Sequence, residues 1–245
     1  MELKIFKNLI IDKFKKVLDF ELDENQVEKF FDFMNLLIEK NKVMNLTAIT
    51  EPEEIILKHF VDSSILIKVY GKDFLDGKTI VDVGTGAGFP GLPLSIVFPN
   101  GKFVLTDTLG KRINFIKEVI DVINIKNVEL VKARAEDFAH DKKFRESFDY
   151  SLSRGVAKIS VLSEYSLPLL KIGGKMLSYK MLDCDLELNE GMNAIRTLGG
   201  MFHVKHSYSI IDVEPQRCII EIEKTKPSPN KYPRKAGTPS KDPIM

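Results

Sequence analysis

Four glycines, Gly84, Gly86, Gly88 and Gly91, follow an acid in the run Ile80-Val-Asp82-Val-Gly84-Thr-Gly86-Ala-Gly88-Phe89-Pro90-Gly91. Glycine suits a backbone that must take positive φ and lie close against a bound group. A turn of this kind that opens a helix presents bare amides to a ligand. The chemistry is therefore binding of a nucleotide-like cofactor. The β-branched run Thr79, Ile80, Val81 and Val83 before the loop reads as a buried parallel strand. Pro90 is tolerated in the first turn of the helix beyond it.

Gly86-x-Gly88-x-x-Gly91 formally satisfies the dinucleotide fingerprint. Asp82, two residues before the first glycine, discriminates between cofactors. An acid aimed into the loop repels a pyrophosphate and suits a cofactor with a cationic amino-acid end, such as S-adenosylmethionine. The next strand, Lys102-Phe-Val-Leu-Thr-Asp107, ends in an acid placed to hold a ribose hydroxyl under either reading. A plain glycine turn with a solvated acid is the bland alternative.

No other group announces itself as a catalyst. Cys184 and Cys218 form no Cys-x-x-Cys and no cluster with His59, His140, His203 and His206, so no metal site is expected. Two such thiols suit a reducing cytoplasm. His59, on a helix among apolar neighbours, reads as a packing residue before a ligand contact.

The elements that must position these residues fall into three stretches. Residues 1–70 are helical in period: Phe6, Leu9, Ile10, Phe14, Val17 and Leu18 make one stripe, and Val27, Phe30, Phe31, Met34, Leu37 and Ile38 a second. Thr50 is placed to cap a third helix carrying His59. Residues 71–224 alternate strand and helix, the grammar of a mostly parallel sheet covered on both faces. Strands are expected near 78–83, 102–107, 127–132, 148–152 and 174–179, and two more near 202–209 and 217–223. Helices are expected near 90–98, 111–124, 157–170 and 184–198, with Lys171-Ile-Gly-Gly174 as a glycine stop. The fold expected is thus an α/β, Rossmann-like seven-stranded sheet with an N-terminal helical cap. Residues 225–245 form a basic, proline-rich tail lying on or near the active site. The 245-residue chain carries a net charge of +1, so the asymmetry of that tail, and not bulk charge, hints at a polyanionic partner. No membrane-spanning run is present, which points to a cytoplasmic protein, and nothing demands more than a monomer.

Asp82-Val-Gly84-Thr-Gly86-Ala-Gly88 followed by Thr106-Asp107 resembles the cofactor motifs of class I S-adenosylmethionine-dependent methyltransferases. Asn45-Leu-Thr47-Ala-Ile, His59-Phe-Val-Asp62-Ser63, Leu109-Gly-Lys111-Arg112, Ala135-Glu136-Asp137, Ser153-Arg154-Gly-Val-Ala157 and Tyr232-Pro-Arg234-Lys-Ala-Gly-Thr-Pro239 narrow the match. Together they resemble the glucose-inhibited division protein B family, the bacterial 16S ribosomal RNA guanine-N7 methyltransferases. The resemblance runs from about residue 25 to the C-terminus. It implies that Asp82, Gly84, Gly86, Gly88 and Phe89 hold the methionine end of S-adenosylmethionine, that Asp107 holds the ribose, and that Ala135 and Glu136 read the adenine edge. It implies a binding-site arginine at Arg154, which positions substrate. Lys111 and Arg112 are solvated or face phosphate. Lys231, Tyr232, Arg234 and Lys235 combine charge with a stacking ring and are the leading RNA-binding candidates. The implied partner is 16S ribosomal RNA or the small subunit.

Guanine N7 carries a free lone pair, so its methylation needs placement and no general base. The sequence accords: no Asn-Pro-Pro-Tyr type motif follows the fourth strand, and neither cysteine follows a proline. Arg154, at the end of that strand, would hold a guanine O6 or a phosphate, or pair with Asp82 or Glu136. An NAD-dependent oxidoreductase, a methyltransferase with another acceptor and a non-catalytic RNA-binding module are the competing readings. The first lacks any Tyr-x-x-x-Lys pair, and the last would be expected to lose loop glycines that are all present.

Overall fold

In the computed structural model, which describes residues 1–210 and 213–245, two amphipathic helices open the chain: α1 (Leu3–Leu18) and α2 (Glu24–Met44). Asp23 starts α2 through a capping box, its carboxylate accepting the Gln26 N–H at 2.7 Å while the Gln26 side chain accepts the Asp23 N–H. Asn45, in the left-handed conformation, ends it. The buried stripe of α2 includes Phe33, which the apolar period had not singled out; it stacks on Phe89 of the glycine loop at 5.4 Å.

The short helix α3 (Pro52–Ile55) continues into a π-turn over Ile56–Val61. Thr50 does not cap it. Glu51 occupies the cap position without a side-chain bond, and Pro52, with its fixed φ, sets the start. The wider π-turn carries His59 and leads directly to Asp62, a distortion of the kind that often accompanies a functional position. Helix α4 (Leu66–Tyr70) completes the helical layer.

The sheet comprises β1 (Thr79–Val83), β2 (Lys102–Asp107), β3 (Val128–Lys132), β4 (Phe148–Arg154), β5 (Leu170–Met181), β6 (Gly200–Ile210) and β7 (Val213–Lys224). Its order is β3-β2-β1-β4-β5-β7-β6. The first five strands are parallel, whereas β7 pairs antiparallel with both β5 and β6. Strand β7 therefore lies inside the sheet and β6 is the edge. The helices between strands are α5 (Gly91–Val97), α6 (Gly110–Val122), α7 (Ala135–Phe138), α8 (Ile159–Ser166) and α9 (Asp185–Thr197). Lys171–Gly174 is not a helix stop. Helix α8 ends before Pro168, which lacks the N–H a further turn requires, and Leu170 already pairs with Phe148 in the sheet.

Alternate side chains of each strand feed two cores. Ile80, Leu105, Leu152, Leu177 and Ile219 pack under α5, α6 and the N-terminal helices, while Val81, Val83, Met176, Ile220 and Ile222 pack under α8 and α9. Residues 1–70 thus share a core with the sheet. Order reverses between β1 and β4, so the carboxyl ends of those strands flank the crevice where such sheets bind ligands. The tail is docked: Tyr232 packs into the second core, and helix α10 (Thr238–Lys241) lies against α8.

Candidate functional site

The strand–loop–helix at the end of β1 is built around Asp82. Its Oδ2 accepts the Thr85 hydroxyl at 2.7 Å and the Gly91 N–H at 2.8 Å, tying both ends of the glycine loop to one carboxylate. Gly91 has no room for a side chain, since a Cβ there would lie 2.3 Å from Leu105 Cδ2. Asp82 is fully buried beneath the loop and does not line the crevice. Burial raises its pKa to about 6, against the lowering effect of those two hydrogen bonds. Its Oδ1 is buried without a hydrogen-bond partner.

Asp107, at the end of β2, holds the other side of the loop. Its Oδ2 accepts the Gly86 N–H at 3.0 Å and Arg112 Nη1 at 3.2 Å, and its Oδ1 accepts the Leu109 N–H at 2.8 Å. Gly84, Asp107, Arg112, Ala135, Glu136 and Tyr165 surround a cavity of about 300 Å³. Gly84 needs its φ of +72°, and a Cβ there would meet Val156 Cγ2 at 2.9 Å.

A second cavity, of about 540 Å³, opens on the other side of Gly155 and Val156, which line both. Its floor is a buried ion cluster. Asp62 Oδ2 accepts Arg154 Nη1 at 2.8 Å, while its Oδ1 accepts the Tyr208 hydroxyl at 2.9 Å and lies 2.9 Å from Arg217 Nη1. Arg154 thus pairs with Asp62, not with Asp82 or Glu136. Its Nη1 also reaches the Lys58 carbonyl, and its guanidinium lies over the Phe89 ring at 5.1 Å.

His59 stacks on the other part of this cluster, its ring 4.4 Å from that of Phe89. Nδ1 faces an Arg154 N–H at 3.2 Å and Nε2 faces the Thr47 hydroxyl at 2.8 Å, which assigns the neutral Nε2–H tautomer. Burial, with the Arg154 charge second, lowers its pKa to about 3. Every other titratable acceptor on this wall is also engaged. Glu187 accepts Lys180 Nζ and the Ile159 N–H, and the Tyr179 hydroxyl donates to the Ser63 carbonyl.

Gly84, Asp107, Ala135 and Glu136 line the smaller cavity and Arg154 the larger, whereas Asp82 lies buried beneath the loop and Gly86, Gly88 and Phe89 line neither. The RNA-binding candidates do not form one group. Lys111, Lys231 and Lys235 are exposed, whereas Arg112 is drawn onto Asp107. Tyr232 is buried, so its ring is no free stacking platform, and Arg234 is clamped on the fully buried Glu164. The side chains that sequence reasoning missed are Asp62, Tyr208 and Arg217. Asp62 stood inside a quoted motif, but the two others lie on antiparallel strands about 150 residues away with no local signal.

Residues 26–212 match the family model described as rRNA small subunit methyltransferase G, GidB. The ribosomal RNA small subunit methyltransferase G of Desulforamulus reducens is 45% identical over 94% of this chain and 95% of its own. That of Lactococcus lactis subsp. lactis is also 45% identical, over 92% of this chain and 94% of its own. Among solved structures, a SAM-dependent methyltransferase from Aquifex aeolicus aligns over 74% of this chain and 97% of its own with a TM-score of 0.52 at 17% identity. TYW2 of M. jannaschii, in complex with AdoMet, aligns over 66% and 74% at 0.52 with 13% identity. These two likenesses are ones of fold.

Proposed function

The chain belongs to the GidB family of rRNA small subunit methyltransferases G, and from that premise we propose that it transfers a methyl group from S-adenosylmethionine to N7 of a guanine in small-subunit (16S) ribosomal RNA. The observation that carries the reading is the pair of cavities joined at Gly155 and Val156, one beside the glycine loop and one over the arginine cluster.

The residues present fit the cofactor. Gly84 leaves open the space that a Cβ would take, and Asp107 and Glu136 put carboxylates beside the smaller cavity where hydroxyls and an exocyclic amine would be received. When bound, S-adenosylmethionine supplies an electrophilic methyl on a sulfonium. Asp82 shapes the loop that receives it and adds a negative charge beneath its cationic end. The same buried carboxylate disfavours the dinucleotide reading, since it would repel a pyrophosphate.

On the acceptor side, Arg154 lines the larger cavity, held by Asp62 and Phe89, and is the type of donor suited to guanine O6. His59 is held neutral and hydrogen-bonded on both nitrogens, Asp62 accepts on both oxygens, and Glu187 is paired with Lys180 through Oε1. Neither His59 nor Asp62 is free to remove a proton, which suits an acceptor with a lone pair and no proton to lose. Lys158, largely exposed at the edge of this cavity, supplies charge for the RNA backbone, whereas Lys58 and Lys180 are paired with Glu54 and Glu187. A single chain acting in the cytoplasm completes the reading; among the described residues no helix is long and apolar enough to cross a membrane.

The test is methylation of small subunits, and separately of naked 16S ribosomal RNA, from cells lacking the enzyme, using labelled S-adenosylmethionine. Label at one guanine, with the borohydride- and aniline-sensitive backbone of an N7-methylated base, is expected. Label on another atom, or none on either substrate, overturns it.

A further inference from the structure

The tail beyond residue 225 lies outside the segment matched by the family model, yet it reaches the nucleoside end of the smaller cavity. Arg234 fixes it there. Its backbone N–H and Nε donate to Glu164 Oε1 at 2.6 and 3.0 Å, and its Nη2 donates to Oε2 at 2.9 Å. Glu164, on α8, is fully buried, so its charge depends on that guanidinium. Three residues on, the Gly237 N–H donates to Glu136 Oε1 at 2.8 Å, and Ser240 Oγ meets the Tyr165 hydroxyl at 2.9 Å. Gly237 and Ser240 line the cavity together with Asp107, Ala135 and Glu136.

We propose that residues 234–241 are a strap that roofs the adenosine end of the cofactor cavity, latched by Arg234 on Glu164, and that cofactor leaves only when the strap lifts. The inference rests on the cofactor reading above. It reassigns the tail. The ring of Tyr232 is buried and the charge of Arg234 is spent inward on Glu164, so the groups that would stack on and neutralise RNA face the protein instead. The strap is a separable element. Upstream, Arg145 independently pins residues 228–232 by donating to the Ser228 and Tyr232 carbonyls at 3.0 and 2.8 Å. Lifting residues 234–241 therefore does not require the rest of the tail to detach. Glu136, moreover, is shared: the carboxylate that borders the adenine end also anchors the strap, so ligand and strap occupancy are coupled.

Two variants, each first checked for its melting transition, test this: Arg234→Met, which opens the latch and leaves buried Glu164 without its counter-charge, and a chain ending at Lys235, which keeps the Arg234–Glu164 pair and removes Gly237 and Ser240. Dissociation of labelled S-adenosylmethionine is followed by chase, affinity by calorimetry, and strap release by hydrogen exchange of residues 234–241. Both variants are expected to raise the dissociation rate and Kd about tenfold, the scale of one or two lost hydrogen bonds, while affinity for small-subunit RNA stays within about twofold. In the wild-type protein, cofactor should protect the amides of residues 236–238, 240 and 241 from exchange. An unchanged dissociation rate in the truncated chain, or lost RNA affinity with cofactor binding intact, overturns the strap. A wild-type protein that binds no S-adenosylmethionine removes the cofactor reading and the strap together.

Discussion

Gly84→Ala isolates the junction of the two cavities. The added Cβ would stand 2.9 Å from Val156 Cγ2 and 3.2 Å from Cγ1, on a backbone at φ +72°. The backbone strain of an L residue in that region is about 1–2 kcal/mol. At this chain length each kcal/mol shifts Tm by about 2–4 °C, so the variant should melt about 2–8 °C lower. Val156 is 37% exposed and free to swing aside, but it swings at the point where both cavities meet. Calorimetric titration with S-adenosylmethionine should therefore show affinity lowered by about tenfold or more, 1.4 kcal/mol per decade. Adding Val156→Ala removes the overlap and leaves the strain. The double variant should recover affinity but not melting temperature, a coupling between neighbours that a double-mutant cycle reads directly. Wild-type affinity in Gly84→Ala, or no recovery in the double variant, would refute the placement of cofactor against Gly84 and Val156.

Asp62→Ala leaves Arg154 and Arg217, both largely buried, without their shared counter-charge. It should lower unfolding free energy by about 3 kcal/mol in urea denaturation and abolish methyl transfer. His59, lowered to about pH 3 in the folded chain, binds fewer protons there than when unfolded. Its contribution is complete above about pH 6.5 and is lost as pH falls towards 3. Relative to His59→Gln, the wild-type unfolding free energy should fall by up to about 1.4 kcal/mol per pH unit across that window. Its imidazole NMR signals should not titrate between pH 8 and 5. Lys111→Glu and Lys158→Glu should each weaken RNA binding and reduce the salt slope by roughly 0.7–0.9, with calorimetric cofactor affinity unchanged.

Local chemistry wrote much of this protein. The β-branched run and alternating glycines of 79–91 specify a strand, a turn and a helix start through contacts no more than a few residues apart, and the acids at 82 and 107 follow from the same two βα units. The alternation of strand and helix from residue 71 marks a mostly parallel sheet, because parallel strands need long crossover connections, usually helices. Chain order does not state which distant carboxylate meets which guanidinium. Asp62 acquires Arg154, Tyr208 and Arg217 only when a π-turn, a parallel strand and two antiparallel strands are brought side by side. The same holds for the tail. Its lysines, arginine and tyrosine read as an outward, RNA-facing set, since composition carries no direction. Tertiary packing turned Tyr232 into the core and Arg234 onto Glu164, because a buried carboxylate on α8 needed a counter-charge that no residue near it in sequence supplied.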